Sequence, residues 1–288
     1  MPGNSNNLGN VRITLPSGTG YDAIDGNSGV VVIVEGVGTS ELGQGTVGPS
    51  NSRLYVYGVL DTATGEIRLT DTMASLDDPT GDGASGDDIL WEDSDARALT
   101  GEGGGVELFP AASTYEYARF LDWRTGSLTV DDGEIVFGVS TLPGDVPTAD
   151  TVTYTGDSLI IRTVGSASAF NTGTSEVTAN FGSGTVDAEV SAVVALFSGG
   201  SATFTMEATG MSIDGNSFAG GTVDMTRGGG SSIAADAGSV QGTDAAGLFF
   251  GPATDGPGSD NPAEVGGFIQ VDGSNASFRG YFIGDNPS

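Results

Sequence analysis

The chain has 288 residues, 49 of them glycine, and sets nine basic residues, all arginine, against 38 acids for a formal net charge of −29; it has no cysteine, histidine or lysine. Those absences exclude the ordinary structural zinc site, histidine-ligated haem, thiol chemistry and any imidazole base, and with them most hydrolase and oxidoreductase designs. So negative a surface repels phosphate backbones and anionic lipid, which argues against nucleic-acid binding, and no run reaches the roughly 20 apolar residues that span a bilayer as a helix. A GC-rich genome and a saline habitat would give the same lysine-poor, aspartate-rich composition without any site.

Abundant Gly, Thr, Ser and Val with no sustained 3.6-residue periodicity predict short strands, tight turns and few helices. Met1–Asn7 carries no basic-then-apolar signal and no lipid-anchor cysteine, so the expected routes are a removed anchor segment, a signal-independent export route, or none. Residues 10–15 and 29–37 read as strands, the second apolar on both faces. Leu54–Leu60 and Glu66–Thr70 flank Asp61-Thr62-Ala63-Thr64-Gly65 as a hairpin. From Asp71 to Gly105 acids and glycines break the pattern around one apolar knot, Ile89-Leu90-Trp91, and predict a long irregular loop. Thr114–Trp123 reads as an aromatic strand. Beyond it strands recur at short spacing, with Val186, Ala188 and Val190 alternating with acids, and Phe204 and Met206 with threonine. Phe218–Val223 reads as one further strand. One wet and one dry face per strand predict an all-β, antiparallel, soluble barrel or sandwich filled by side chains. The organisation expected is a β-rich region over 1–105, with an acidic loop at 71–105, and a barrel over 106–288.

Several segments share a wording more specific than alternation. They are Pro147–Gly156 with Tyr154, Asn180-Phe181-Gly182-Ser183-Gly184-Thr185-Val186, Gly215-Asn216-Ser217-Phe218, and the closing set Gly247-Leu248-Phe249-Phe250-Gly251-Pro252, Gly266-Gly267-Phe268 and Phe278-Arg279-Gly280-Tyr281-Phe282. In this order, over about residues 112–288, they resemble the C-terminal barrel of the transferrin-binding protein B family. Asp150 stands where that pattern has glycine, and Asn180 where it has an acid. The resemblance implies an eight-stranded barrel preceded by a β-rich, handle-like region, with loops of both contacting a partner. It implies a non-catalytic binding protein, extracellular or on the cell surface and associated with the outer membrane, serving uptake of a nutrient such as iron or haem. The ligand, protein or small molecule, stays open.

Candidate site residues are few. Tyr55 and Tyr57 share a strand face, as do Tyr115 and Tyr117, and with Trp123 they could form an aromatic binding platform; cross-strand packing is the plainer reading. If haem or ferric iron were held, tyrosine or methionine would have to supply the ligand. Asp77, Asp78, Asp82, Asp87 and Asp88 offer the oxygens calcium takes from flexible loops. Their spacing is not that of an EF-hand, and a solvated loop explains them as well. Acid pairs are too common for any one to indicate glycosidase chemistry, so no enzyme is expected. The alternative is a structural or adhesive protein of a surface layer, appendage or particle, self-associating through strand edges near Val31 or Val56.

Overall fold

The computed structural model describes residues 12–14, 23–26, 29–40, 46–47, 54–61, 66–68, 74–76, 88–91, 105–109, 115–124, 132–165, 167–196, 199–228, 231–232, 234–253 and 261–286. They fall in two compact units, one within Met1–Leu142 with Phe250–Pro252, the other within Pro143–Phe249 and Ala253–Ser288. All but one of the described elements are strands.

The first unit holds β1 (Arg12–Thr14), β2 (Ala23–Gly26), β3 (Gly29–Ser40), β4 (Thr46–Val47), β5 (Leu54–Asp61), β6 (Glu66–Arg68), β7 (Ala74–Leu76), β8 (Asp88–Trp91), β9 (Gly105–Phe109), β10 (Ala118–Arg124) and β11 (Asp132–Gly138). Their main path is β1-β6-β5-β3-β11-β10-β9. The expected hairpin forms, with Asp61 opposite Glu66. β9, β10 and β11 lie beyond the boundary drawn at residue 105 from sequence, and they hydrogen-bond into this first sheet.

Three expectations need correction here. The acidic stretch is not wholly irregular, because Asp88–Trp91 pairs with Ala74–Leu76, which in turn extends the edge of β5. Backbone groups beside a strand edge find partners there, whatever the composition around them. Thr114–Trp123 is not strand throughout: the ladder starts at Ala118, and Tyr115 and Tyr117 precede it. Nor do Val31 and Val56 lie on free edges. Val31 pairs with Ile24 and Val59, and Val56 with Val34 and Ala74.

The second unit is a closed antiparallel barrel. It comprises β12 (Thr151–Val164), β13 (Ala167–Asn180), β14 (Thr185–Ala195), β15 (Ser201–Asp214), β16 (Ser217–Ala219), β17 (Thr222–Arg227), β18 (Ser231–Ser232), β19 (Val240–Phe250), β20 (Glu264–Gly273) and β21 (Ser277–Asp285), with one helical turn, α1, at Ala234–Ala237. The ring runs β12-β13-β14-β15-β16-β19-β20-β21 and returns to β12 through nine residue pairs, so it has eight staves. β17 and β18 are an additional branch on β15.

Turn chemistry sets the registers. Asp150 adopts φ 75°, the left-handed region glycine reaches most cheaply, and its carbonyl accepts from Phe181 N–H at 3.0 Å. The β13–β14 turn is held by Asn180, whose Oδ1 accepts from Ser183 N–H at 3.0 Å. β15 carries a bulge: Val186 opposes Met211 while Ala188 opposes Ala208, so the extra residue falls at Thr209–Gly210. Gly210 has φ 71° and its amide donates to Asp187 Oδ1 at 2.7 Å. The single strand expected over Phe218–Val223 is two, β16 and β17, because Gly220 and Gly221 both take left-handed φ, 82° and 78°.

The barrel interior is filled. Tyr154, Phe204, Phe218, Phe249, Phe278, Phe282, Met206, Met211 and Met225 are all at most 1 % exposed and join Val and Ala of β13 and β14 in one apolar cluster. Phe249 touches Phe181 and Phe218 at ring-centroid distances of 5.3 and 5.1 Å, and Phe204 meets Phe278 at 5.2 Å. Gly247 is what admits Phe218: a Cβ there would lie 2.2 Å from Phe218 Cζ and 2.7 Å from Gly266 O. Gly247→Ala is therefore expected to cost about 1–3 kcal/mol by overpacking. Gly144→Ala, with nothing within 4 Å of its Cβ, should stay within about 0.5 kcal/mol of wild type. Denaturant melts of both variants check this, and equal midpoints would refute the wedge.

Candidate functional site

The most ordered chemistry on the described surface is on the outer wall of four adjacent strands. Glu176 of β13 opposes Glu189 of β14, Glu189 opposes Glu207 of β15, and Glu207 opposes Asp224 of β17. All four lie on the outward phase, between buried neighbours such as Val177, Val190, Met206 and Met225. Two residues along each strand a hydroxyl row runs parallel: Thr174, Ser191, Thr205 and Thr226 are in register, with Ser191 and Thr205 oxygens 3.2 Å apart. Directly opposed residues on neighbouring strands sit about 4.5–5.5 Å apart, so the carboxylates repel one another along the row. The strands tolerate this because water screens the outer face while the inner face holds them through apolar burial. The charge also distinguishes this wall from the apolar outer band of a membrane barrel.

The wall differs on the opposite side of the ring. Leu159, Tyr281 and Phe268 form a cross-strand row over β12, β21 and β20, on the outward phase, and each is at most 4 % exposed. At this row the wall is apolar on both faces, with Ile160 and Ile269 on the inward phase beside it.

Inside the barrel one polar group stands out. Tyr154 is fully buried and its hydroxyl has no hydrogen-bond partner. Burial pushes that hydroxyl above the ordinary tyrosine value of 10.0. At one end Arg162 lies over the Phe278 ring, its guanidinium carbon 5.8 Å from the centroid.

The residues singled out from sequence are dispersed. Tyr55 and Tyr57 lie two apart on β5, opposite Glu35 and Ile33 of β3. Trp123 lies on β10, opposite Val106 and Gly133. Tyr115 and Tyr117 are 5 % and 6 % exposed, which is packing, with little ring left to offer a ligand. Gly251 lies against Tyr117, where a Cβ would come 2.4 Å from the ring. Asp88 opens β8, opposite Leu76; Asp77, Asp78, Asp82 and Asp87 lie outside the described residues. Among the described residues no group of three or more acids is arranged to hold a metal ion, and none of their helices is long and apolar enough to cross a membrane. The carboxylate row was missed from sequence, yet a signal existed. The turn at Phe181–Gly184 lies midway between Glu176 and Glu189, so folding the hairpin about it pairs them.

No family model matches the chain, and no curated protein matches it. Solved structures do. A transferrin-binding protein B double mutant from Haemophilus parasuis is 13 % identical, with TM-score 0.44 over 91 % of this chain and 46 % of that one. The apo haemoglobin receptor HpuA from Kingella denitrificans is 14 % identical, with TM-score 0.45 over 92 % and 93 %. Transferrin-binding protein B from Neisseria meningitidis is 14 % identical, with TM-score 0.43 over 89 % and 44 %. The likeness is a distant one, of fold. The chain spans about half the length of the transferrin-binding protein B structures it matches.

Two outcomes follow from this geometry. Glu189→Gln with Glu207→Gln removes every directly opposed like-charge pair of the row and should raise stability by about 0.5–2 kcal/mol in low salt, with the gain shrinking as NaCl is added. Denaturant melts at several salt concentrations read this; a salt-independent effect, or a loss, would refute the repulsion. Tyr154→Phe removes a buried, unpartnered hydroxyl and should leave stability unchanged or raised at pH 7. Unfolded tyrosine ionises near pH 10 while folded Tyr154 does not, so its contribution is complete below pH 10 and falls as pH rises beyond it. Tyr154→Phe should therefore soften the alkaline decline in Tm; an unchanged decline would contradict the burial.

Proposed function

We propose that this is a non-catalytic binding protein of the cell surface or extracellular space that engages a protein partner through its outer surface, in acquisition of a nutrient such as iron or haem. The observation that supports this most is the filled barrel. Phe204, Phe218, Phe249, Phe278, Phe282 and three methionines occupy the volume in which a small-molecule carrier would hold its ligand. Recognition then falls to walls and loops. The composition agrees, since a chain without Cys, His or Lys lacks the usual nucleophiles and bases but keeps a full range of surface hydrogen-bonding groups. The solved protein named a haemoglobin receptor is recorded in complex with human haemoglobin, and a haem-protein is the first partner to test for this chain.

The test is binding of haemoglobin, transferrin and haemin to the immobilised protein, paired with methyl NMR of Met206, Met211 and Met225. A protein that binds while the interior methionine signals stay in place supports recognition by the outer surface. Haemin that binds and shifts those methyls would overturn it, because the ligand would then sit inside the barrel. Ordered oligomers in the absence of any partner, with no binding to the three probes, would favour the structural or adhesive reading instead.

A further inference from the structure

The break at Gly220–Gly221 leaves two strand edges facing each other across a fork. β16 holds β19 through Ser217↔Leu248, Phe218↔Gly247 and Ala219↔Ala246, and a last bond runs from Gly220 N–H to Ala245 C=O at 2.9 Å. Past that point β17 pairs with β15 and, at Thr226 and Arg227 alone, with β18. β19 has β20 on its far side and, from Val240 to Asp244, no strand on the near side among the described residues. The foot of the fork is closed by α1: Ala237 is fully buried, its carbonyl accepts from Asn275 N–H at 2.9 Å, and Asp236 pairs with Arg227 at 2.9 Å.

Register tells which amides face the fork. Gly228 N–H donates to Thr203 C=O, so the alternation of an antiparallel ladder sends the amides of Thr226 and Asp224 to β15 and those of Met225 and Val223 into the fork. On β19 the Ala245 carbonyl accepts from Gly220, which places the amides of Ala245 and Thr243 on the same side. At one position on each bank, the side chain of the preceding aspartate occupies the amide. Met225 N–H donates to Asp224 Oδ1 at 2.8 Å, and Ala245 N–H donates to Asp244 Oδ1 at 2.8 Å. The same device thus stands on both banks.

An edge amide held by a carboxylate cannot donate to an incoming strand without losing a charge-assisted bond. The charge acts in the same direction. Asp224 ends the in-register row Glu176–Glu189–Glu207, so a second β17 laid along this edge would prolong a line of like charges. We propose that Asp224 and Asp244 close this fork to strand addition by a second copy of the chain. The identical chain is the intruder to exclude, because it brings strands of matching length at the protein's own concentration and carries the same acids.

Mass measurement by light scattering across a concentration series tests this, comparing wild type, Asp224→Ala with Asp244→Ala, and Asp224→Asn with Asp244→Asn. The alanine pair should move to dimers or larger species at concentrations where wild type does not, at least tenfold lower than any association wild type shows. The asparagine pair loses the charge but keeps an acceptor oxygen, and should associate less than the alanine pair. An alanine pair no more associated than wild type, or an asparagine pair as associated as the alanine pair, would overturn the proposal. Should the alanine pair not fold, amide exchange in the single variants decides: Met225 should exchange at least tenfold faster in Asp224→Ala than in wild type, and Ala245 at least tenfold faster in Asp244→Ala, and unchanged rates would overturn it.

Discussion

Eight staves closed into a narrow ring leave room for large side chains inside only where the wall carries none. Here the wall yields at Gly247, against which Phe218 lies, and at Gly267, whose added Cβ would meet Ala246 O at 2.3 Å and Phe282 Cζ at 2.8 Å. The aromatic column Phe181–Phe249–Phe218 depends on those bare positions. So does the closeness of β19 to β20, and with it the ring. Glycine beside phenylalanine towards the end of the chain is therefore a packing device: Phe218 and Phe282 each have a gap cut for them in the neighbouring backbone.

The filled interior makes the outer wall the place where this protein can be specific. That wall is divided. From β13 round to β17 it carries the acid and hydroxyl rows, water-facing and self-repelling, with Phe170 and Val193 exposed beside them; across β12, β21 and β20 it carries Leu159, Tyr281 and Phe268 buried in register. One strand pair, β12 with β13, marks the transition, since Leu159 faces Thr172 and Thr155 faces Glu176. The four carboxylates of the row are thus lined up where water can screen them and set apart from the apolar row.

Much of this was legible in the residues. Alternation in β14 reports its burial directly, with Val186, Ala188 and Val190 inside, because a strand with one dry face has no other way to be written. The Asp61–Glu66 hairpin was legible from its turn, and the barrel from its ordered Gly-aromatic segments. What escaped was non-local. The bulge at Thr209–Gly210 shifts the apolar phase between Ala208 and Met211, and without the partner strand that shift looks like noise. The split at Gly220–Gly221 needs φ values that the dipeptide permits but does not compel. Asp88–Trp91 pairs because a neighbouring strand offers an edge, which composition cannot report. Tyr115 and Tyr117 were read as a strand face, and their burial comes from tertiary packing around a non-strand segment.

The pairing of β12 with β21 sets an order in time. Residues Thr155–Thr163 wait for Ser277–Asp285, the last stave of the barrel to leave the ribosome. Until then the growing sheet is an open ribbon whose first strand has one satisfied side, and its aromatic face has nothing to close upon. Synthesis therefore delivers β12 long before its partner, and the barrel stays an open ribbon until β21 has been made.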